Sequence, residues 1–251
     1  MNDNVSHLAQ ALLPLRGLNM LLRVGRERNS HKGKVDLLAG CVDGDIARYS
    51  SEIESLLRGW QPSGNFYVCD DSVRFETPMG SGGVAVCDSA KIVGQIEGWI
   101  EGRNLGGQPR PWAIGYWLPE ALCGDLATAD ILYDVGGTGV EIMKKVTPYP
   151  DSLSKNITEW CSDEIRQKLS LFERLIGDEK LIEHGLCLSD ITASLVRLAF
   201  ARSRKYLRGF RSLDEQTKIL EPSDYSVYQL ALELSQRKGL AETIEKIQRL
   251  L

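Results

Sequence analysis

The sequence predicts an α+β fold, with a mixed sheet and helices in the first half and an all-α helical domain in the second. Up to about residue 150, short apolar runs alternate with glycine-rich turns, as is typical of strands. Beyond residue 150 glycine is sparse, and apolar residues recur with the period of amphipathic helices. The 251 residues are enough for both parts, so we predict domains at 1–150 and 151–251.

The first half supplies the strands. Each predicted strand is a short run of apolar and β-branched residues, and each predicted helix has apolar residues three and four positions apart. The strands are about 19–25, about 34–42, 66–69, 73–77, 82–86 and about 130–135. The helices are 5–18, 45–60, 89–102 and about 118–124. We expect Pro14 to cut or kink the first helix, Ser89 to cap the third, and "MGSGG" at 79–83 to form a hairpin turn.

The second half reads as packed helices. The predicted helices are 151–176, 187–209, about 224–237 and 240–250. The second of these is strongly apolar and ends in the basic run "RSRKYLRGFR", where cations offset the helix dipole or, alternatively, where Lys205 meets a phosphate.

Composition excludes several classes of function. The net charge is −4, which argues against a dedicated nucleic-acid binder, so no DNA partner is expected. No apolar run is long enough to cross a bilayer, and the N-terminus lacks a basic signal-peptide region, so we expect a cytoplasmic protein without a membrane partner. The six cysteines are scattered singly, which is typical of buried thiols and unlike a zinc site.

The stretch "LLRVGRERNSHKGKVDLLAGCV", residues 21–42, carries the main functional hypothesis. Two apolar strands flank a basic turn, and we expect Gly25 and Asp36 to be neighbours at the strand tips. A glycine there lets backbone N–H groups approach an anion, and the nearby cations suit a triphosphate. The alternative interpretation is a solvated polar turn, with Asp36 capping it.

This layout resembles the nucleotidyltransferase fold of the aminoglycoside and lincosamide adenylyltransferases, over roughly residues 17–210. "VGR" stands where that superfamily has a Gly-Ser pair, and "GKVDLL" stands where it has two acids flanking one residue. The later run "ADILYDVGGTGVEIMKKVTPYPDSLSKNITEW" looks like the junction before the long helix in nucleotidyltransferase-like proteins. The chain departs from the pattern at Arg26, in place of serine, and at Lys34, in place of the first acid.

The resemblance implies a site that uses Mg²⁺ and ATP or another nucleoside triphosphate. In that site Asp36 is a metal ligand, and Glu76 is a second ligand or general base, with Asp88 as another candidate for the later acid. The implied nucleotide-binding residues are Gly25, Arg26, Arg28, Lys34 and Lys205. Glu76 has a plainer interpretation as a solvent-facing strand residue.

Three functional hypotheses follow from this comparison. The first is transfer of a nucleoside monophosphate to a hydroxyl of a small-molecule acceptor, with release of pyrophosphate. The second is a non-catalytic member of the fold that binds a nucleotide or a partner, which Lys34 favours because an ammonium repels Mg²⁺. The third is an antitoxin-like or regulatory interaction protein, for which a homodimer through the C-terminal helices is an expectation.

Overall fold

The computed structural model describes residues 3–25, 34–42, 44–78, 80–106, 118–175, 181–210, 213–237 and 239–251. The chain forms two compact units. The first comprises Met1–Trp99 and Gly106–Pro148, and the second comprises Ile100–Leu105 and Tyr149–Leu251. Residues 100–105 thus belong with the helical unit, although the sequence-based division at residue 150 placed them in the first domain.

The first unit contains the strands and the helices that cover them. The strands are β1 (Leu18–Val24), β2 (Lys34–Cys41), β3 (Asn65–Cys69), β4 (Ser72–Thr77), β5 (Gly80–Asp88) and β6 (Asp130–Asp134). The helices that begin in this unit are α1 (Asp3–Leu12), α2 (Ile46–Trp60), α3 (Ser89–Ile100), α4 (Pro119–Ala127) and α5 (Thr138–Val146). Of these elements, α5 was not predicted. Its N-terminus is capped by Asp134, whose carboxylate accepts hydrogen bonds from the backbone N–H groups of Gly139 and Val140 at 3.0 Å each.

The strands of the described residues form one mixed sheet in the order β3-β4-β5-β2-β1-β6. β2 and β5 are parallel, and the other neighbouring pairs are antiparallel. The parallel pair is possible because α2 and the β3–β4 hairpin lie between β2 and β5 in the chain. The mixed sheet that the sequence predicts is confirmed.

One face of the sheet packs against α1 and α2. Alternate residues of β2, such as Val35 and Leu37, join Val73 and Phe75 of β4 in a buried cluster with residues of both helices. Because successive strand residues point to opposite faces, Lys34 and Asp36 lie on the other face of the sheet. We call the part of that other face that carries Lys34, Asp36, Tyr67, Arg74 and Glu76 the polar face.

The predicted hairpin between β4 and β5 is confirmed, because the two strands pair antiparallel from Thr77 and Gly80 onward, but the glycine run at 80–83 is part of β5 and not of the turn. Gly82 pairs with Val35 of β2, and a Cβ atom at Gly82 would lie 1.8 Å from the Val35 carbonyl oxygen. Glycine is therefore needed here for a close approach of two strands and not for a turn.

The first helix is shorter than predicted. α1 ends at Leu12 and does not reach residue 18. Proline has no backbone N–H and disfavours the α conformation of the residue before it, so the helix stops ahead of Pro14. β1 then begins at Leu18, close to the predicted position.

Asp88, and not Ser89, caps α3. The Asp88 carboxylate accepts hydrogen bonds from the N–H groups of Ala90 at 3.0 Å and Lys91 at 3.1 Å. Ser89 instead donates its hydroxyl to the carbonyl oxygen of Cys41 at 3.1 Å. The backbone hydrogen bond from Lys91 is the largest cause that lowers the pKa of Asp88 from its usual value.

We expect Asp88→Ala to lower the free energy of unfolding by about 0.5–2 kcal/mol at pH 7, because the cap is lost. The folded-state pKa of Asp88 is depressed, so its contribution is present above the unfolded pKa, near 4, and is lost as the pH falls through the folded pKa. Urea titrations at pH 7 and below pH 4 check this, and the gap between wild type and variant must shrink in acid. Gln95→Ala, on the exposed side of the same helix, is the control and should change little.

The second unit is helical, as predicted. Its helices are α6 (Asp151–Leu175), α7 (Leu181–Arg202), α8 (Leu213–Gln216), the 3-10 turn Thr217–Ile219, α9 (Pro222–Ser235) and α10 (Leu240–Leu250). α7 packs against α6 and α9. In the part of the chain that the structure describes, no helix has both the length and the apolarity that crossing a bilayer requires.

α7 begins earlier and ends earlier than predicted. Arg204 has a φ of 53°, in the left-handed region. Its N–H donates to the carbonyl of Ala201, and the N–H of Lys205 donates to that of Phe200 at 2.9 Å. This pair of hydrogen bonds is the Schellman motif, which closes a helix, so the basic run after Arg202 leaves the helix instead of continuing it to Gly209.

The cysteines are free thiols, and most of them are buried. Cys41, Cys123, Cys161 and Cys187 are buried, while Cys69 and Cys87 are partly exposed. Burial is the largest cause that raises the pKa of the Cys123 thiol, with the charge of Glu120 adding to it. A thiol with a raised pKa is a poor nucleophile and a poor metal ligand at neutral pH.

Candidate nucleotide site

The candidate site begins where β1 ends and β2 starts. Val24 lies opposite Asp36 in the antiparallel ladder, so Gly25 follows directly beyond this pair. Gly25 has a φ of 66°, a left-handed conformation that glycine adopts without a steric cost. The structure therefore brings together Gly25 and Asp36, the two residues that the sequence places at the strand tips.

Lys34 and Asp36 form an ion pair on the polar face. Lys34 Nζ lies 3.7 Å from Asp36 Oδ2. The Asp36 side chain is only 5% exposed, whereas that of Lys34 is 41% exposed. Because a lysine ammonium has three donors, Lys34 can hold this carboxylate and still offer donors toward solvent.

A row of residues crosses the sheet from Asp36. Asp36 of β2 pairs with Gly83 of β5, Gly83 pairs with Arg74 of β4, and Arg74 pairs with Tyr67 of β3. Residues directly opposite one another lie on the same face, so Arg74 and Tyr67 belong to the polar face with Asp36. Both are exposed, and Tyr67 is 55% exposed.

A second row, two residues along the strands, contains Glu76. Lys34 pairs with Ser81, and Ser81 pairs with Glu76, which is exposed on the polar face. Two strand spacings and two residue rises separate the Cα atoms of Glu76 and Asp36 by roughly 12 Å. Glu76 is thus on the same face as Asp36 but not adjacent to it.

The described carboxylates do not fit a shared Mg²⁺ ion. Mg²⁺ demands oxygen ligands about 2 Å away in octahedral geometry. Asp36 is buried and paired with Lys34, and Glu76 lies two strands away. Within the described residues, no group of three or more His, Cys, Asp or Glu side chains is arranged to hold a metal ion.

The remaining predicted site residues lie elsewhere. Arg26 and Arg28 fall outside the residues that the structure describes. Lys205 is exposed after the end of α7, in the second compact unit. Asp88 is at the far end of β5 from Gly83, where its carboxylate caps α3. The assignment of catalytic and metal-binding roles to Asp36 and Glu76 stays a prediction.

Arg74 and Tyr67 are not among the site residues predicted from the sequence. The run "VRFET" carries a usable signal, because Val73 and Phe75 alternate with Arg74 and Glu76. That alternation assigns Arg74 to a solvent-facing side. The alternation does not reveal that β4 lies two strands from β2 in the sheet. That strand order is what places Arg74 in the same row as Asp36.

Comparison with known proteins supports the fold. No protein-family model matches the chain, and no curated protein matches it. Among solved structures, it is similar to a nucleotidyltransferase-like protein from Exiguobacterium sibiricum 255-15, with a TM-score of 0.52 and 12% sequence identity. The match covers 96% of this chain and 74% of that chain. At this identity the likeness shows the fold alone, so the nucleotidyltransferase-like α+β fold is confirmed, while the adenylyltransferase subfamily stays a prediction.

Proposed function

We propose that this chain is a non-catalytic, nucleotide-binding member of the nucleotidyltransferase fold. Side-chain cations on the polar face, Lys34 first among them, hold the triphosphate in place of a metal ion. The observation that supports this most is the Lys34 Nζ–Asp36 Oδ2 distance of 3.7 Å. An ammonium occupies the space beside the carboxylate that a metal ion would need, and it neutralises the acid that the resemblance assigns to that metal.

The proposed mechanism of binding is electrostatic. The ion pair with the buried Asp36 holds the Lys34 side chain, which is itself 41% exposed. Hydrogen bonds between an ammonium and a phosphate oxygen are charge-assisted, and they are about twice as strong as neutral ones. Asp36 is then a positioning residue for Lys34 and not a ligand of the nucleotide.

Nucleotidyl transfer to a small-molecule hydroxyl is the second candidate function. The observation in its favour is that Asp36 and Glu76 share one face of the sheet. In that mechanism, the acceptor oxygen attacks the α-phosphorus and pyrophosphate leaves. It requires Asp36 as an ionised metal ligand, so an uncharged, isosteric side chain at position 36 separates the two candidates.

We expect ATP to bind in the presence of EDTA, and added Mg²⁺ not to tighten the binding. Lys34→Met should weaken ATP at least about tenfold, because a charge-assisted hydrogen bond contributes about 1.5–3 kcal/mol. Asp36→Asn should retain ATP binding, since its amide oxygen can still accept a hydrogen bond from the Lys34 ammonium and so keep Lys34 in position. Isothermal titration calorimetry measures these affinities, and the melting temperature with ATP gives an independent readout.

Lys155→Met is the matched control, because Lys155 is a 72% exposed lysine of the second unit whose loss should leave ATP affinity unchanged. Pyrophosphate release assays with Mg²⁺ and polyhydroxyl acceptors test the second candidate. Release by the wild type that Asp36→Asn abolishes would overturn the proposal in favour of transfer. Absence of binding by any nucleoside triphosphate would favour the third hypothesis, an interaction protein.

A further inference from the structure

We propose that the exposed part of the polar face across β3, β4 and β5 is the platform for the nucleoside, with Tyr67 stacking on the base. This inference rests on the proposed function. It adds the residues that would bind the base and the sugar, which Lys34 alone does not contact. The ligand class is a nucleotide with a planar aromatic base and an anionic tail.

Tyr67 is placed as a stacking residue by its strand. It lies on β3, at the edge of the described sheet order, and pairs with Arg74 on β4. Its neighbours on the same face, Asn65 and Arg74, are exposed too. A tyrosine that is 55% exposed among polar side chains offers a π-face to an aromatic ring, and stacking on such a face tolerates any base.

The spacing along the row suits an extended nucleotide. Tyr67 and Asp36 are three strand spacings apart, about 14 Å, and Lys34 lies two residues from Asp36. A nucleoside triphosphate lying across the strands can therefore place its base at Tyr67 and its phosphates at Lys34. Gly83 and Asp36 are buried, so the phosphate end reaches Lys34 past Ser81 of β5, which is exposed and pairs with both Lys34 and Glu76.

The charges along this path complement such a ligand. Arg74 of β4 stands in the row between Tyr67 of β3 and Gly83 of β5, and the fork of donors on a guanidinium matches phosphate oxygens. Glu76 is exposed on β4 one row away and accepts hydrogen bonds, which suits the ribose hydroxyls and not the phosphates. This order of groups favours a nucleotide over a simple polyanion.

The test compares ATP with inorganic triphosphate in EDTA, by calorimetry on the full chain. Wild type should bind ATP more tightly than triphosphate, and Tyr67→Leu should weaken ATP by about 5- to 150-fold while leaving triphosphate affinity unchanged. Tyr67→Phe, which keeps the ring, should retain ATP affinity. Val68→Ala is the matched control, because Val68 is the next residue of β3 and faces the opposite side.

The outcomes separate this inference from the proposed function. If triphosphate binds and ATP binds no more tightly, or if Tyr67→Leu binds ATP as wild type does, the platform is overturned and the phosphate site stands. If wild type binds neither ATP nor triphosphate, both proposals are overturned. Equal losses for ATP and triphosphate in Tyr67→Leu, with an unchanged melting temperature, would show that Tyr67 does not act through the base and would overturn the platform as well.

Discussion

Gly82→Ala is expected to destabilise the first compact unit by roughly 3 kcal/mol or more, the upper end of the cost of overpacking a core. A Cβ atom at Gly82 would lie 1.8 Å from the Val35 carbonyl oxygen and 2.8 Å from Phe75 Cζ. The Val35 oxygen belongs to the backbone of a buried, central strand, so it cannot move aside as a flexible side chain would. Relief requires β2 and β5 to separate.

Urea titration followed by circular dichroism measures this loss, and Gly94→Ala is the matched control. Gly94 is an exposed glycine inside α3, where an added Cβ atom would meet no other group within 4 Å. Alanine there should stabilise by up to about 1 kcal/mol, because glycine is a poor helix former. A Gly82→Ala protein as stable as wild type would show that β2 and β5 do not approach as closely as described.

The same substitution reports on the candidate site. Lys34, Asp36 and Gly83 are brought together by the parallel pairing of β2 and β5, which includes the Val35–Gly82 pair. A separation of these strands moves Asp36 relative to Arg74. We therefore expect any folded Gly82→Ala protein to lose ATP affinity as well as stability.

Local pattern was sufficient for most elements but not for the glycine run. The strands at 34–42 and 73–77 and the helix at 45–60 show clear apolar periodicity, and the structure has them at nearly the same positions. Gly80–Gly83 is compatible locally with a turn or with a strand. The need for glycine at position 82 comes from the carbonyl oxygen of Val35, a residue more than forty positions away in the chain. No local pattern contains that information.

The candidate site also has one part that local sequence predicts and one part that it does not. The neighbourhood of Gly25 and Asp36 follows from a hairpin, and Lys34 reaches Asp36 because residues two apart in a strand share a face. The row through Arg74 to Tyr67 depends on the strand order β3-β4-β5-β2, which the sequence does not encode locally. The acid pair implied by the family resemblance could therefore be proposed from residue types alone. The tyrosine platform could be proposed only once the strand order was known.

Arg197→Met is expected to destabilise the second unit by about 1.5–5 kcal/mol. Arg197 is 4% exposed, donates to the carbonyl oxygen of Leu105 at 2.8 Å, and has its guanidinium 4.5 Å from the centre of the Trp160 ring. Methionine has similar length but no donor. The Leu105 carbonyl would lose this hydrogen bond in a buried setting, which costs about 1–3 kcal/mol, and the cation–π contact adds about 0.5–2 kcal/mol.

Urea titration measures the loss for Arg197→Met, and two further variants bracket it. Arg197→Lys keeps the charge but lacks the planar fork that stacks on Trp160 while donating to Leu105, so we expect an intermediate loss. Arg249→Met is the matched control, because Arg249 is 74% exposed and its pairing with Glu245 on α10 should contribute less than about 1 kcal/mol. Equal stabilities for Arg197→Met and Arg249→Met would mean that the 100–105 segment is not anchored to α7 through Arg197. The hydrogen bond from Arg197 to Leu105 would then not be what keeps residues 100–105 with the helical unit.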